Sequence, residues 1–378
     1  MGPGTNPDIL GELGVKRVIN ALGSATVLGG SVLQPRIQEA MEEANRTFVS
    51  MEELLEKAGR SIADLLGVEA AFVTSGCFAA LALSAAAIMT GSDQETRARL
   101  PDTTGLSNQF LIQSRMRYHY DRCVTVPGGR LREVGNERGT TADQLAAAIG
   151  PSTAGILYPA HLEGTEGTLP LADVVAIARD RNIPVLVDAA YQVYPLERMK
   201  GVVQSGADSV CFSAKYMGGP NSAGFLCGKK PLVEAAALNA FIAYEMEDNN
   251  CFGRGFKVDR QEVVATVVVL REWFKLDHRE RLRVQEMRFQ VIVEALGGLP
   301  HVQTEQVWEK TLPWMTLNIT LDENALGKTA AGVEQALRSG DPAIWLRADG
   351  NTLHMASHTL NPGEEHIVAE RLREALRD

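Results

Sequence analysis

Pro184-Val185-Leu186-Val187-Asp188-Ala189-Ala190 and Ser209-Val210-Cys211-Phe212-Ser213-Ala214-Lys215 are two apolar runs, each leading into a charged side chain. Neither alternates with polar residues, which is the pattern of a strand covered on both faces. Runs of the same kind stand at Ala70-Ala71-Phe72-Val73, Phe110-Leu111-Ile112 and Gly155-Ile156-Leu157-Tyr158. Helical patterns lie between them, at residues 79–89, 141–149 and 171–181. Strand, helix and strand in series predict a mainly parallel sheet with crossover helices, from about Leu54 to Lys230.

Beyond this region the pattern changes. Residues 259–296 are charged and amphipathic with no strong breaker before Gly297-Gly298, which predicts one long linking helix. From Val302 onward, Trp314-Met315-Thr316-Leu317-Asn318-Ile319 and Thr352-Leu353-His354-Met355 read as strands, with helices at 329–338 and 364–376. The expected organisation is an N-terminal arm over 1–45 that reaches another subunit, a large domain over 46–258, and the linking helix with a small α+β C-terminal domain over 259–378. A chain of 378 residues suits one large and one smaller core.

The net charge of −10 sets up no field that would collect phosphate backbones or anionic lipid, so nucleic acid and membrane are not expected as partners. Five scattered cysteines, Cys77, Cys123, Cys211, Cys227 and Cys251, read as reduced thiols and not as a disulfide or zinc framework. No metal site is expected. The stretch Met1-Gly2-Pro3-Gly4-Thr5-Asn6-Pro7 has no basic segment followed by an apolar one, and no apolar stretch reaches transmembrane length. The expectation is a cytoplasmic protein.

In a doubly wound sheet the ligand sits beyond the carboxyl ends of the strands, and three features fall there. Thr74-Ser75-Gly76-Cys77 joins a strand to a helix. Free N–H groups at the helix start, and a glycine that lets the backbone come close, would hold a phosphate; a plain capping turn is the alternative. Asp188 ends a buried strand, where a carboxylate is costly without a partner such as a protonated pyridine nitrogen. The alternative there is a helix N-cap. Lys215 emerges from the sheet into Tyr216-Met217-Gly218-Gly219-Pro220-Asn221. Partial desolvation would lower its pKa and make it nucleophilic toward an aldehyde, whereas a solvated surface lysine would do neither. Ser213 stands ready to add a hydroxyl to the phosphate.

This set, a phosphate turn, then an aspartate, then a lysine 27 positions further on, resembles the fold-type I pyridoxal-phosphate (PLP) enzymes. Within them the chain is similar to the selenocysteine synthase-like group that includes glucosaminate-phosphate ammonia-lyase. The likeness runs through Val18-Ile19-Asn20-Ala21, Leu28-Gly29-Gly30-Ser31, Met51-Glu52-Glu53-Leu54, Val73-Thr74-Ser75-Gly76, Val187-Asp188-Ala189-Ala190, Gly218-Gly219-Pro220 and Gly255-Phe256-Lys257-Val258-Asp259. The resemblance implies an α/β fold of the PLP-transferase type, with a mainly parallel seven-stranded sheet and a small α+β domain. It implies pyridoxal 5'-phosphate as cofactor, Lys215 as the Schiff-base lysine and Asp188 as the partner of the ring nitrogen. Ser75, Gly76, Cys77 and Ser213 would wrap the phosphate, and Gln192 would lie near the ring oxygen. The run Tyr118-His119-Tyr120 falls where the superfamily stacks a ring on the cofactor, and His119 is the choice among the three. Arg254 and Lys257 would neutralise a substrate carboxylate or phosphate, Arg254 often across a subunit boundary.

Two departures stand out. The lysine turn reads Ser-Ala-Lys, one small residue shorter than in relatives, and His358 stands where the group often has an arginine, with Arg347 and His354 as neighbours able to compensate. Both point to an altered substrate. Selenocysteine synthase binds tRNA through an extra N-terminal domain, for which the sequence leaves no room, so an RNA-modifying role is not expected. The expected reaction is α,β-elimination from an amino acid or amino-sugar acid, of the ammonia-lyase or dehydratase type, in a homodimer or higher oligomer. Aminotransferase, racemase, aldolase and β-replacement chemistry share the same cofactor grip. The alternative of another class, a non-catalytic ligand-binding member of the fold, has no need of Lys215 together with a buried Asp188.

Overall fold

The computed structural model describes residues 8–246, 250–308 and 312–377. The first seven residues, on which the secretory-signal reading partly rested, lie outside the described residues. The chain forms two compact units: Ser31–Lys275, and the described residues up to Gly30 together with those from Leu276 onward.

The larger unit is built on a seven-stranded sheet. Its strands, in spatial order, are Ala70–Thr74, Gly224–Gly228, Ser209–Ser213, Val185–Asp188, Thr153–Pro159, Gln109–Gln113 and Arg130–Val134. All neighbouring pairs run parallel except those of Gly224–Gly228, which is antiparallel to both of its partners. The four central strands from Gly224 across to Pro159 are almost wholly buried, as their unbroken apolar character requires. The helix Cys77–Thr90, rich in alanine, is buried on nearly every side, because small side chains let it lie close on the sheet. Two strands do not stand out in the sequence. Arg130–Val134 is an edge strand whose charged side chains face solvent, and Gly224–Gly228 is short and bounded by glycines.

The segment 259–296 is two helices and not one. Arg260–Lys275 and His278–Leu296 are separated at Leu276-Asp277, where the Asp277 side chain accepts from the amides of Arg279 and Glu280 and so starts the second helix. An N-cap aspartate needs no glycine or proline before it, and amphipathic periodicity hides it. The first of these helices, together with Pro35–Asn45, belongs to the larger unit: Arg260 Nε donates to the Ala44 carbonyl at 2.8 Å, and Arg271 donates to Ser61 Oγ at 2.8 Å.

The smaller unit carries a four-stranded antiparallel sheet in the order Arg347–Asp349, Thr352–Ala356, Thr316–Leu321, Val302–Val307. The helices Ala330–Ser339 and Glu364–Arg377 accompany it, and Val18–Asn20 pairs in parallel with Ala343–Trp345. This is the α+β arrangement expected of the C-terminal part. No helix among the described residues is long and apolar enough to cross a membrane.

Candidate active site

The carboxyl ends of the central strands gather one cluster in the larger unit. Asp188 closes the strand Val185–Asp188 and is only 4% exposed. Its Oδ2 accepts from the Tyr118 hydroxyl at 2.6 Å, and its Oδ1 accepts from the Ala190 amide at 3.0 Å and from the Cys77 thiol at 3.6 Å. Burial first, and then the charge of Asp188, push the ionisation of Tyr118 and Cys77 far above the usual values. Both therefore keep their protons and act as donors.

Cys77 opens the helix Cys77–Thr90 after the turn Ser75-Gly76. The helix has no side-chain cap, so its first amides face the sheet end unsatisfied by capping. Gly76 has φ +90°, a conformation that glycine adopts without strain. Gly224 of the antiparallel strand lies directly behind: a Cβ there would stand 2.5 Å from the Phe212 carbonyl oxygen and 2.8 Å from the Cys77 nitrogen. The missing side chain is what lets that strand press against the turn.

Lys215 lies in the 3-10 turn Ala214–Met217 that leaves the strand Ser209–Ser213. The turn ends at Gly218 in the left-handed region, and the Ser31 hydroxyl donates to the Lys215 carbonyl at 2.6 Å. The Lys215 ammonium sits 5.0 Å from the centre of the Tyr216 ring. Partial burial pulls the amine below the ordinary lysine value, with Cys77 acting weakly against it. Ser213 and Gln192 are buried, Gln192 completely.

A chain of rings connects the two ends of this cluster. Tyr118 packs edge-on to His161 at 5.1 Å between centroids, His161 meets Tyr191 at 5.5 Å, and Tyr191 meets Tyr216 at 5.5 Å. Burial lowers the pKa of His161, while the charge of Asp188 works in the other direction. His161 was not singled out from the sequence, although it follows the apolar run of the strand Thr153–Pro159 by the same strand-end rule that marks Asp188 and Lys215.

The other residues singled out from the sequence have these surroundings. His119 is exposed, with its ring against Tyr120 at 5.1 Å; the member of that run that enters the cluster is Tyr118, whose hydroxyl finds an acceptor in the buried Asp188 carboxylate. Arg254 is paired with Glu245 at 2.5 Å, and Lys257 is exposed. In the smaller unit Arg347 is exposed on its strand, and His354 is bonded to Asn318 at 2.8 Å. His358 stacks on Trp314 at 4.7 Å, with Nε2 3.1 Å from Ser24 Oγ and with no hydrogen-bond partner on Nδ1 among the described residues. Burial, then the charges of Arg281 and Arg288, lower its pKa to about 3, so this imidazole is neutral at neutral pH. Among the described residues no group of three or more histidine, cysteine or acidic side chains is placed to hold a metal ion.

A mainly parallel sheet with a glycine turn into a helix, a strand-end aspartate and a strand-end lysine is the arrangement of a fold-type I PLP-dependent enzyme, and the comparisons agree. The family model described as SelA, L-seryl-tRNA selenium transferase, matches residues 18–290. The chain belongs to this family. It is 31% identical to D-glucosaminate-6-phosphate ammonia lyase of Salmonella typhimurium, over 97% of this chain and 98% of that protein. A solved structure of D-glucosaminate-6-phosphate ammonia-lyase superposes with a TM-score of 0.85 at 28% identity, covering 98% of this chain and 99% of that one. The 5'-C-glycyluridine monooxygenase-decarboxylase of a Streptomyces species is also 31% identical, over 97% of this chain and 92% of its own. Serine palmitoyltransferase from S. paucimobilis shares the fold, with a TM-score of 0.59 at 16% identity over 96% of this chain and 88% of that one. The cofactor is pyridoxal phosphate, and the protein is a PLP-dependent enzyme of the lyase type.

Proposed function

We propose that this protein catalyses α,β-elimination on an amino acid or amino-sugar acid, in which the α-proton and a β-substituent leave and the unsaturated amine then reacts with water to give ammonia and a keto acid. The observation that carries this reading is the placement, at the carboxyl ends of two neighbouring parallel strands, of a buried carboxylate at Asp188 and a half-buried lysine of lowered pKa at Lys215. Asp188 Oδ2 takes a single donor among the described residues, Tyr118, and keeps a lone pair for a ring N–H. The residues present therefore suit pyridoxal phosphate.

In this reading Ser75, Gly76 and Cys77, with Ser213, bind the phosphate at the start of a 14-residue helix. Lys215 is the residue that would carry the cofactor's aldehyde, Asp188 the one that would partner its ring nitrogen, and Gln192 the one that would serve its ring oxygen. When bound, the cofactor supplies an electron sink for charge that develops at the substrate's α-carbon. Lys215 Nζ is the group that would take the α-proton; its lowered pKa favours the neutral amine that this requires. Tyr118 and His161 wall the pocket and keep water from it. Arg254 and Lys257 supply positive charge toward an acidic substrate group. Arg347 and His358 are the candidates in the smaller unit, His358 offering a hydrogen bond and not a charge.

The test is ammonia release from amino acids and amino-sugar acids of both configurations, without a keto-acid co-substrate. Ammonia with an equimolar keto acid is the expected result; a strict need for the co-substrate would make the protein an aminotransferase. A second reading, decarboxylation, is favoured by the equal identity to the Streptomyces enzyme. Carbon dioxide without ammonia would select it.

The same reading makes the protein a cytoplasmic homodimer or higher oligomer acting on a small molecule, with no nucleic-acid or membrane partner. The net charge of −10 and five buried free thiols support it. If Arg254 serves the neighbouring subunit's pocket, mixing Arg254→Ala and Lys215→Ala chains restores part of the activity, because some mixed oligomers carry one intact site. Mixtures as inactive as the separate variants would place Arg254 outside the site.

A further inference from the structure

Asp188 is held by more donors than a cofactor partner needs. A lone carboxylate turns freely about its last torsion, since rotation of a planar group on a tetrahedral carbon has broad, shallow minima. Here Tyr118 fastens Oδ2, while the Ala190 amide and the Cys77 thiol fasten Oδ1, so the plane of the group is determined before any ligand arrives. The Ala190 amide is local to the turn, but Tyr118 and Cys77 come from distant parts of the chain, 70 and 111 positions away. Tyr118 is itself braced by the His161 ring at 5.1 Å. Cys77 is placed by the start of its helix.

From this geometry we infer that Tyr118 and Cys77 are positioning residues that preset the Asp188 carboxylate for the cofactor's ring nitrogen. The inference rests on the reading of Asp188 as the ring-nitrogen partner. Both donors stay protonated, because burial and the neighbouring carboxylate oppose their ionisation, so the brace persists across the working pH range. Freezing a side chain during binding costs about 0.5–1.5 kcal/mol, and a group frozen beforehand spares the ligand that cost. At 1.4 kcal/mol per factor of ten, this corresponds to roughly a two- to tenfold gain in affinity, confined to ligands that carry the ring nitrogen.

The experiment compares two probes by equilibrium dialysis: pyridoxal phosphate, and its 1-deaza analogue, in which a C–H replaces the ring nitrogen. The ratio of the two dissociation constants isolates the Asp188 interaction, since loss of the fold or of the phosphate turn weakens both probes alike. For Tyr118→Phe, which keeps the ring and removes only the hydroxyl, the preference for pyridoxal phosphate is expected to fall about two- to tenfold with the deaza constant unchanged. A preference that stays the same or increases overturns the inference. If Tyr118→Phe does not fold, Cys77→Ala is measured by the same ratio with the same expected direction, and an unaltered ratio there overturns it equally. A wild-type protein that shows no preference between the probes removes the Asp188 reading itself, which separates that failure from this one.

Discussion

Lys215→Ala is expected to leave a folded, colourless protein that cannot be labelled by borohydride in the presence of pyridoxal phosphate, while the wild type is yellow and retains a reduced cofactor on the peptide containing Lys215. The reason is local. Lys215 lies on the turn Ala214–Met217 with its side chain over the Tyr216 ring, and truncation removes an amine without touching the buried strand Ser209–Ser213 that positions it. Catalysis loses two contributions together, the covalent hold on the cofactor and the base at the α-carbon. A positioned general base alone is worth about 10²- to 10⁴-fold, so turnover should fall by at least roughly a thousandfold. A colour or borohydride label that survives in Lys215→Ala would assign the linkage to another lysine and dismantle the proposed site.

Asp188→Asn is the second large effect, and its value lies in separating stability from chemistry. Removing the side chain altogether would leave the Tyr118 hydroxyl, the Cys77 thiol and the Ala190 amide facing no acceptor, at about 1–3 kcal/mol for each buried orphan. Asparagine keeps the shape and one acceptor oxygen, so the melting temperature should change little. It cannot balance a positive ring nitrogen. Losing one partner of a buried charge pair costs about 3–5 kcal/mol, which sets the expected decline in kcat/KM at roughly 10²- to 10⁴-fold. Near-normal turnover in a folded Asp188→Asn protein would show that the carboxylate charge is not used.

The parts of this site that lie on strands were legible from the sequence. Buried parallel strands read as unbroken apolar runs, and the residue that follows each run faces the ligand side of the sheet by topology alone. That logic reaches Asp188 and Lys215 directly, and it applies equally to His161, which stands two residues past the strand Thr153–Pro159, as Lys215 stands two past Ser209–Ser213. The strand Gly224–Gly228 escaped for the opposite reason. Its sequence is short and glycine-bounded because Gly224 must let the turn at Gly76-Cys77 come within van der Waals distance, and that need arises only once the two segments are adjacent.

The break between the helices Arg260–Lys275 and His278–Leu296 shows a similar limit, since a capping aspartate inside a charged amphipathic stretch looks like one more surface residue until its side chain is seen to accept two amides. What the sequence by itself determined is the layered α/β architecture, most of its buried strands, and the presence of an acid and an amine at their ends, because strand burial imposes a period and a composition that local reading detects. What only the tertiary structure decided is which side chains complete the pocket. Tyr118 and not His119 faces Asp188, and Cys77 meets the same carboxylate through its side chain, because loops have no period and the direction of a loop side chain is set by neighbours remote in the chain.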